Sequence, residues 1–141
     1  MPDQEDWGES SCQRVLCIDD DWDLLKLEKV ILETSGYEVL LAKDGAEAMN
    51  LVKGGRVDLV VLTAEMPRMT GTDLAERLRT KQPTLPIIMV SGVAVPKRST
   101  KTGDRYIPKA KMVMTLGREV KRLLDNKQPL STPMTSLKRV D

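Results

Sequence analysis

Short apolar runs alternate with stretches of helical periodicity through the middle of this chain. Residues 14–18 (RVLCI) read as a first strand, 37–42 as a second, 58–62 (DLVVL) as a third, 86–90 as a fourth and 105–107 as a short fifth. After Asp58 the third is apolar throughout, the pattern of a strand buried on both faces. Between the first two, Leu24, Leu27 and Ile31, with Leu25 and Leu32, recur at helical spacing over 22–35. Asp20 or Asp21 can cap that helix and Gly36 can end it. Asp44-Gly45 opens a second helix with Ala46, Met49 and Val52 facing inward, closed by Gly54-Gly55. Pro67 and Gly71 precede a third over 72–81, with Leu74, Ala75 and Leu78 inward. The last helix, 111–126, carries Val113, Leu116, Val120, Leu123 and Leu124 on one side.

Strands alternating with helices predict a parallel sheet with right-handed crossovers. Five such units suit an α/β, flavodoxin-like doubly wound sheet in the order 2-1-3-4-5, with helices on both faces and a switch point between strands one and three. One segment breaks the rhythm. From Ser91 to Tyr106 the chain reads SGVAVPKRSTKTGDRY, with Pro96 and a polar KRSTKT run. That is too little chain for strand, helix and strand again, so the fourth of five helices is expected to be shortened or missing. Residues 1–12 read as a flexible leader with Trp7 as its one large anchor, 13–126 as a single domain, and 127–141 as a disordered tail.

Composition removes whole classes of function. The chain has 141 residues, a formal net charge of +1 and no histidine. The charge balance gives no electrostatic reason for a nucleic-acid or membrane partner, and His-based acid–base or metal chemistry is excluded. Cys17 sits inside the first apolar run and Cys12 in the leader, which makes neither a disulfide framework nor a zinc site and fits a cytoplasmic location. No apolar stretch approaches the ~18 residues of a membrane span. Phosphate-binding glycine loops and a GxSxG elbow are absent.

The candidate chemistry lies at strand ends. Asp19 and Asp20 follow the first strand, Thr63 the third, Ser91 closes the fourth, Tyr106 lies on the fifth, and Lys109 follows it. With MPRMTG after Thr63, this pattern resembles the receiver domain of two-component response regulators over about residues 14–126. The resemblance implies an acidic pocket of Asp19, Asp20 and Lys109. It implies Mg2+ held by Asp19, Asp20 and the backbone carbonyl of Glu65, a hydroxyl at Ser91 that bonds a phosphoryl oxygen, and an aromatic switch at Tyr106. At the Thr63 position the family has an aspartate that accepts a phosphoryl group from a histidine kinase. Here the nucleophile is substituted, and one anionic metal ligand goes with it. Mg2+ binding is therefore expected to be weak and no cofactor to be required. The family's proline after the lysine is also replaced, by Ala110, with Pro108 in front of it.

These readings point to a receiver-like module of a phosphorelay pathway, not an enzyme, which binds a histidine kinase or another signalling protein without being phosphorylated. The 91–110 region and the last helix are the expected contact surface, with Val93, Val95 and Met112 exposed there. One alternative is a phosphorylatable receiver that uses Asp20, Glu65 or Thr63 as a non-standard acceptor. A metal-dependent phosphatase built on Asp19 and Asp20 lacks a second nucleophile and a third metal ligand. The chain could also be a fragment of a longer protein.

Overall fold

The computed structural model describes residues 13–66, 68–92 and 105–127, with residues 126 and 127 described for their backbone only. The five strands are β1 (Arg14–Ile18), β2 (Glu38–Ala42), β3 (Leu59–Thr63), β4 (Ile87–Ser91) and β5 (Arg105–Pro108). They form one sheet in the order β2-β1-β3-β4-β5, every pair parallel. Four helices are described: α1 (Trp22–Thr34), α2 (Gly45–Lys53), α3 (Gly71–Lys81) and α4 (Met112–Lys127), the last preceded by a 3-10 turn at Lys109–Lys111. The expected leader, the 93–104 segment with its shortened helix and its Val93 and Val95, and the tail beyond Lys127 lie outside the described residues.

Alternate side chains of each central strand go to opposite faces, so two apolar layers form. Val15, Cys17, Val61 and Val90 join α1 and α4 on one side. Leu16, Ile18, Leu62 and Met89 join α2 and α3 on the other. All five residues of β3 are buried, as its unbroken apolar run predicts.

The helices keep their predicted places but turn by a residue or two. In α1 the buried positions are Leu25, Glu28 and Leu32, and Leu27 is exposed. In α2 Ala48 and Val52 are buried and Ala46 is exposed. In α4 Met112 is buried at 1% exposure, while Val113 is 59% exposed. The expected exposure of Met112 and burial of Val113 are thus reversed. The cause is phase: Met112, Leu116, Val120 and Leu124 recur at four-residue steps and follow one face of the helix, and Val113 lies one residue off it.

Helix starts are fixed by side-chain caps. Asp21 Oδ1 accepts from the amides of Asp23 and Leu24 at 3.0 and 3.3 Å. Asp44 and Thr70 do the same for α2 and α3, through the amides of Glu47 and Asp73. Gly71 is demanded by space: a Cβ there would come within 2.7 Å of the Ala64 Cα and 2.9 Å of the Met89 Cε. Its amide donates to the Ala64 carbonyl at 3.0 Å, which draws α3 against the end of β3.

Candidate functional site

Parallel strands deliver their carboxyl ends to one edge, and the switch point between β1 and β3 opens that edge. Register places Ile18 beside Leu62, Thr63 beside Val90 and Ser91 beside Pro108. The residues just past these pairs are Asp19, Glu65, Gly92 and Lys109. Sequence positions spread over 90 residues meet here because the sheet order brings β1, β3, β4 and β5 side by side.

The three successive aspartates have three separate jobs. Asp19 points inward at 1% exposure; its Oδ1 accepts from the Asp21 amide at 3.0 Å, and its Oδ2 is buried with no partner. Burial pushes its carboxyl up to about 6, while the Asp21 amide and the field of Lys109 pull against that rise. Asp20 points out and lines a cleft of about 510 Å³ with Lys43, Met66, Arg68 and Met69. Lys43 Nζ lies 5.7 Å above the Trp22 ring at the same edge. Asp21 is the cap of α1. Asp20 still acts on Asp19, whose carboxyl it pushes further up by side-chain contact and charge.

Thr63 is 2% exposed at the end of β3, and its Oγ1 has no hydrogen-bond partner. Ser91 Oγ donates to Glu65 Oε2 at 2.7 Å, and the Gly92 amide donates to Glu65 Oε1 at 3.0 Å. Burial would raise the Glu65 carboxyl, but these two bonds and the Lys109 field together hold it below its ordinary value. The Lys109 stem flanks the same spot: a Cβ on Gly92 would be 3.6 Å from both Lys109 Cδ and Glu65 Oε1. Among the described residues Lys109 closes no ion pair within 4.0 Å and acts on Asp19, Glu28 and Glu65 as a longer-range field. Tyr106 is half-buried on β5, where it packs against the α2–α3 layer beside Met89.

One member of the site escaped the sequence reading. Glu28 lies on α1 in phase with Leu25 and Leu32 and is 2% exposed. Burial first, and Asp19 second, push its carboxyl up to about 8; the neighbouring Cys17 thiol and Lys109 work the other way. The Cys17 thiol is itself raised well above its ordinary value, by burial and then by Glu28. Glu28 Oε1 has no partner. The available signal was an acid at three residues from one core leucine and four from the next.

The donor set bears on the metal that the resemblance implies. Mg2+ takes oxygen ligands in a strict octahedron. The unpartnered Oδ2 of Asp19 offers it one open oxygen, and Asp20 stands next to it in sequence. Thr63 contributes at most a neutral hydroxyl. The described residues hold no cluster of three acids, cysteines or histidines suited to a metal. The set fits Mg2+ in kind, with one anionic ligand fewer at the end of β3.

The family model described as response regulator receiver domain matches residues 15–109. Response regulator MprA of Mycobacterium sp. (strain KMS) is 33% identical over 124 residues, 85% of this chain and 54% of its own length. The alkaline phosphatase synthesis transcriptional regulatory protein PhoP of Bacillus subtilis is 33% identical over 79 residues, 56% of this chain and 33% of its own. The chain thus spans about half the length, or less, of these curated relatives. Among solved structures, a CheY-like receiver domain protein from Methanospirillum hungatei superposes with a TM-score of 0.78 at 31% identity, over 84% of this chain and 98% of that one. TrrA from Thermotoga maritima, solved in complex with Mg2+–BeF, gives 0.73 at 32% identity over 79% and 98%.

Proposed function

The chain belongs to the response regulator receiver family, and we propose that it acts there as a protein–protein interaction module that does not depend on phosphorylation. The observation that carries this reading is Thr63. A threonine hydroxyl attacks phosphorus only when a base removes its proton. Thr63 Oγ1 is buried with no partner at all, and the protein has no histidine. Asp19 Oδ2 is likewise without a partner, so no hydrogen bond joins this carboxyl to the Thr63 hydroxyl, and its Oδ1 accepts from the Asp21 amide.

The partner is a histidine kinase or another signalling protein of the same pathway, met in the cytoplasm through the 91–110 region and α4. The near-zero net charge supports a protein partner over nucleic acid or lipid, and among the described residues no helix is long and apolar enough to cross a membrane. Residues 13–126 are the unit that carries this role. Asp19, Asp20 and the Glu65 carbonyl would hold Mg2+ weakly. When bound, that ion would neutralise charge at the strand edge; binding of the partner does not require it.

A second reading rests on Asp20. It is an exposed carboxylate at the edge of the site, at the wall of the cleft. It is a better-placed alternative acceptor than Glu65, whose carboxylate is engaged by two donors, or Thr63, whose hydroxyl is buried. The test is intact mass after incubation with Mg2+ and a small-molecule phosphodonor, beside a conventional receiver as positive control. An unchanged mass is expected. A gain of one phosphate would overturn the phosphorylation-independent reading, and its lability in base would separate an acyl phosphate on Asp20 from an ester on Thr63.

A further inference from the structure

A cleft of about 510 Å³ opens between the β2–α2 turn and the β3–α3 loop, and the strand-edge chemistry leaves it unused. Of its lining only Asp20 belongs to the strand edge; the rest comes from residues 43–46 and from 66, 68 and 69. Both walls are fixed by bonds of their own. On one, Asp44 Oδ1 accepts from the Glu47 amide at 2.9 Å while Glu47 Oε1 accepts from the Lys43 amide at 2.8 Å, a reciprocal lock on the start of α2. On the other, Thr70 caps α3, and the Gly71 amide ties the loop closed on the Ala64 carbonyl at 3.0 Å. The surface between the walls is apolar. Met66 and Met69 are half-buried against the α2–α3 layer, and the Met69 sulfur lies 3.6 Å from where a Cβ on Gly45 would stand. Methionine thioethers are soft and adapt to irregular apolar bodies. A preformed apolar hollow of this size, with a few polar groups at its rim, is what a small-molecule ligand requires.

The charges at that rim decide the class of ligand. The two acids are accounted for: Asp44 is committed to the α2 cap, and Asp20 stands at the strand-edge end. The two bases are not. Among the described residues neither Lys43 nor Arg68 closes an ion pair within 4.0 Å. Lys43 Nζ rests 5.7 Å from the Trp22 ring, a contact that still leaves it N–H donors for an anion. We infer that the cleft is a binding site for a small apolar acid: one negative charge met by Lys43 and Arg68, on an apolar or aromatic body seated against Ala46, Met66 and Met69. A ligand with several negative charges suits it poorly, because Asp20 and Asp44 stand in the same walls and the start of α2 already holds a carboxylate. A molecule seated there would brace the β2–α2 turn against the β3–α3 loop. The inference goes beyond the interaction-module reading and uses neither Thr63 nor a phosphoryl group.

The test titrates the full chain with two fluorescent dyes of one ring system. 8-Anilinonaphthalene-1-sulfonate carries one negative charge, and N-phenyl-1-naphthylamine is the same body without it. The sulfonate should bind saturably with a Kd on the order of 10 µM, as a ligand of its size allows, and more tightly than the neutral dye. Lys43→Gln and Arg68→Gln should each weaken the sulfonate about threefold and leave the neutral dye where it was. Ala46→Trp, at an exposed position on the wall, places an indole in the cleft and should remove both dyes. An unchanged urea midpoint would show that each variant is folded. In wild type labelled with 13C-methyl methionine, the Met66 and Met69 signals should shift along the same binding curve. Dye binding that is absent or unsaturable, that survives Ala46→Trp, or that leaves the Met66 and Met69 signals still would overturn the site. A neutral dye that binds as tightly as the sulfonate, or a sulfonate indifferent to both charge variants, would overturn the anionic class. The mass experiment with a phosphodonor reads the strand edge and the dyes read the cleft, so the failure of one is distinguishable from the failure of the other.

Discussion

Replacing Glu28 with glutamine should make this protein more stable at neutral pH, and the gain should depend on pH in a defined way. Glu28 is 2% exposed, and burial lifts its carboxyl from its ordinary value of 4.5 to about 8. Between those two values the folded chain binds a proton that the unfolded chain releases. Stability must then fall as pH rises, because the folded state is the one holding more protons. The Glu28 contribution is intact below about 4.5, declines across the window and levels off above about 8. At pH 7 the folded carboxyl is held protonated some two and a half pH units above its unfolded midpoint, which at 1.36 kcal/mol per unit costs about 3 kcal/mol. Glutamine keeps the shape and has no proton to hold. Its amide inherits the unpartnered position of Oε1, which subtracts on the order of 1 kcal/mol at every pH. Urea unfolding of both proteins in EDTA, from pH 4.5 to 8, checks this. The difference should start near zero or slightly against the variant at the acid end. It should favour Glu28→Gln by about 2 kcal/mol at pH 7, a midpoint shift on the order of 1 M. The raised carboxyl of Asp19 acts in both proteins over a lower window, from 3.8 to about 6, and cancels to first order. A difference that stays flat across this range would refute the assignment of Glu28 as a buried, protonated acid.

Three more outcomes test the strand edge. Gly71→Ala puts a methyl within 2.7 Å of the Ala64 Cα; it should cost about 1–3 kcal/mol in thermal or urea unfolding, and an unchanged midpoint would show that the β3–α3 loop yields freely. Asp21→Ala removes the acceptor for the Asp23 and Leu24 amides and should cost about 1 kcal/mol, with faster amide exchange confined to the first turn of α1. Thr63→Asp places a carboxylate next to the buried Asp19. Its urea midpoint should drop in EDTA and recover in millimolar Mg2+; a midpoint that Mg2+ leaves where it was would count against an oxygen-ligand site at Asp19.

The fold was legible because its signals were redundant. Each of β1 to β4 is built on a run of four apolar residues, α1, α2 and α3 each start on an Asp or Thr cap, and the alternation admits few topologies. The order β2-β1-β3-β4-β5 is one of the few doubly wound orders that such an alternation suits. Helix phase was less legible. The 22–35 segment has apolar residues at 24, 25, 27, 30, 31 and 32, more than one face can bury. Tertiary packing chose Leu25 and Leu32 and left Leu27 and Val30 in solvent at 39% and 60%. A surplus of candidates, not a shortage, produced the error there and again at Val113.

The site was legible as a list of positions and illegible as a set of contacts, for one physical reason. Backbone register fixes where Asp19, Thr63, Ser91 and Lys109 emerge, and register follows from the apolar pattern. The direction of each carboxylate then depends on donors from distant parts of the chain. Asp19 turns inward because the Asp21 amide takes its Oδ1. Glu65, expected as a backbone-carbonyl ligand or as an alternative acceptor, is drawn by its side chain to Ser91 and Gly92. Glu28 was hidden because an acid in a core phase looks like noise in an amphipathic pattern, although an acid has no reason to occupy a fully buried position unless it can stay protonated or meet a positive field. Here it has both means, a proton held up to about pH 8 and Lys109 acting from the end of β5. The exchange of an aspartate for Thr63 belongs to the same balance. With Asp19 and Glu28 already buried and unpartnered on one oxygen each, a third acid at the end of β3 would have to be neutralised by a cation or a proton. A threonine at that position lets the edge close without either.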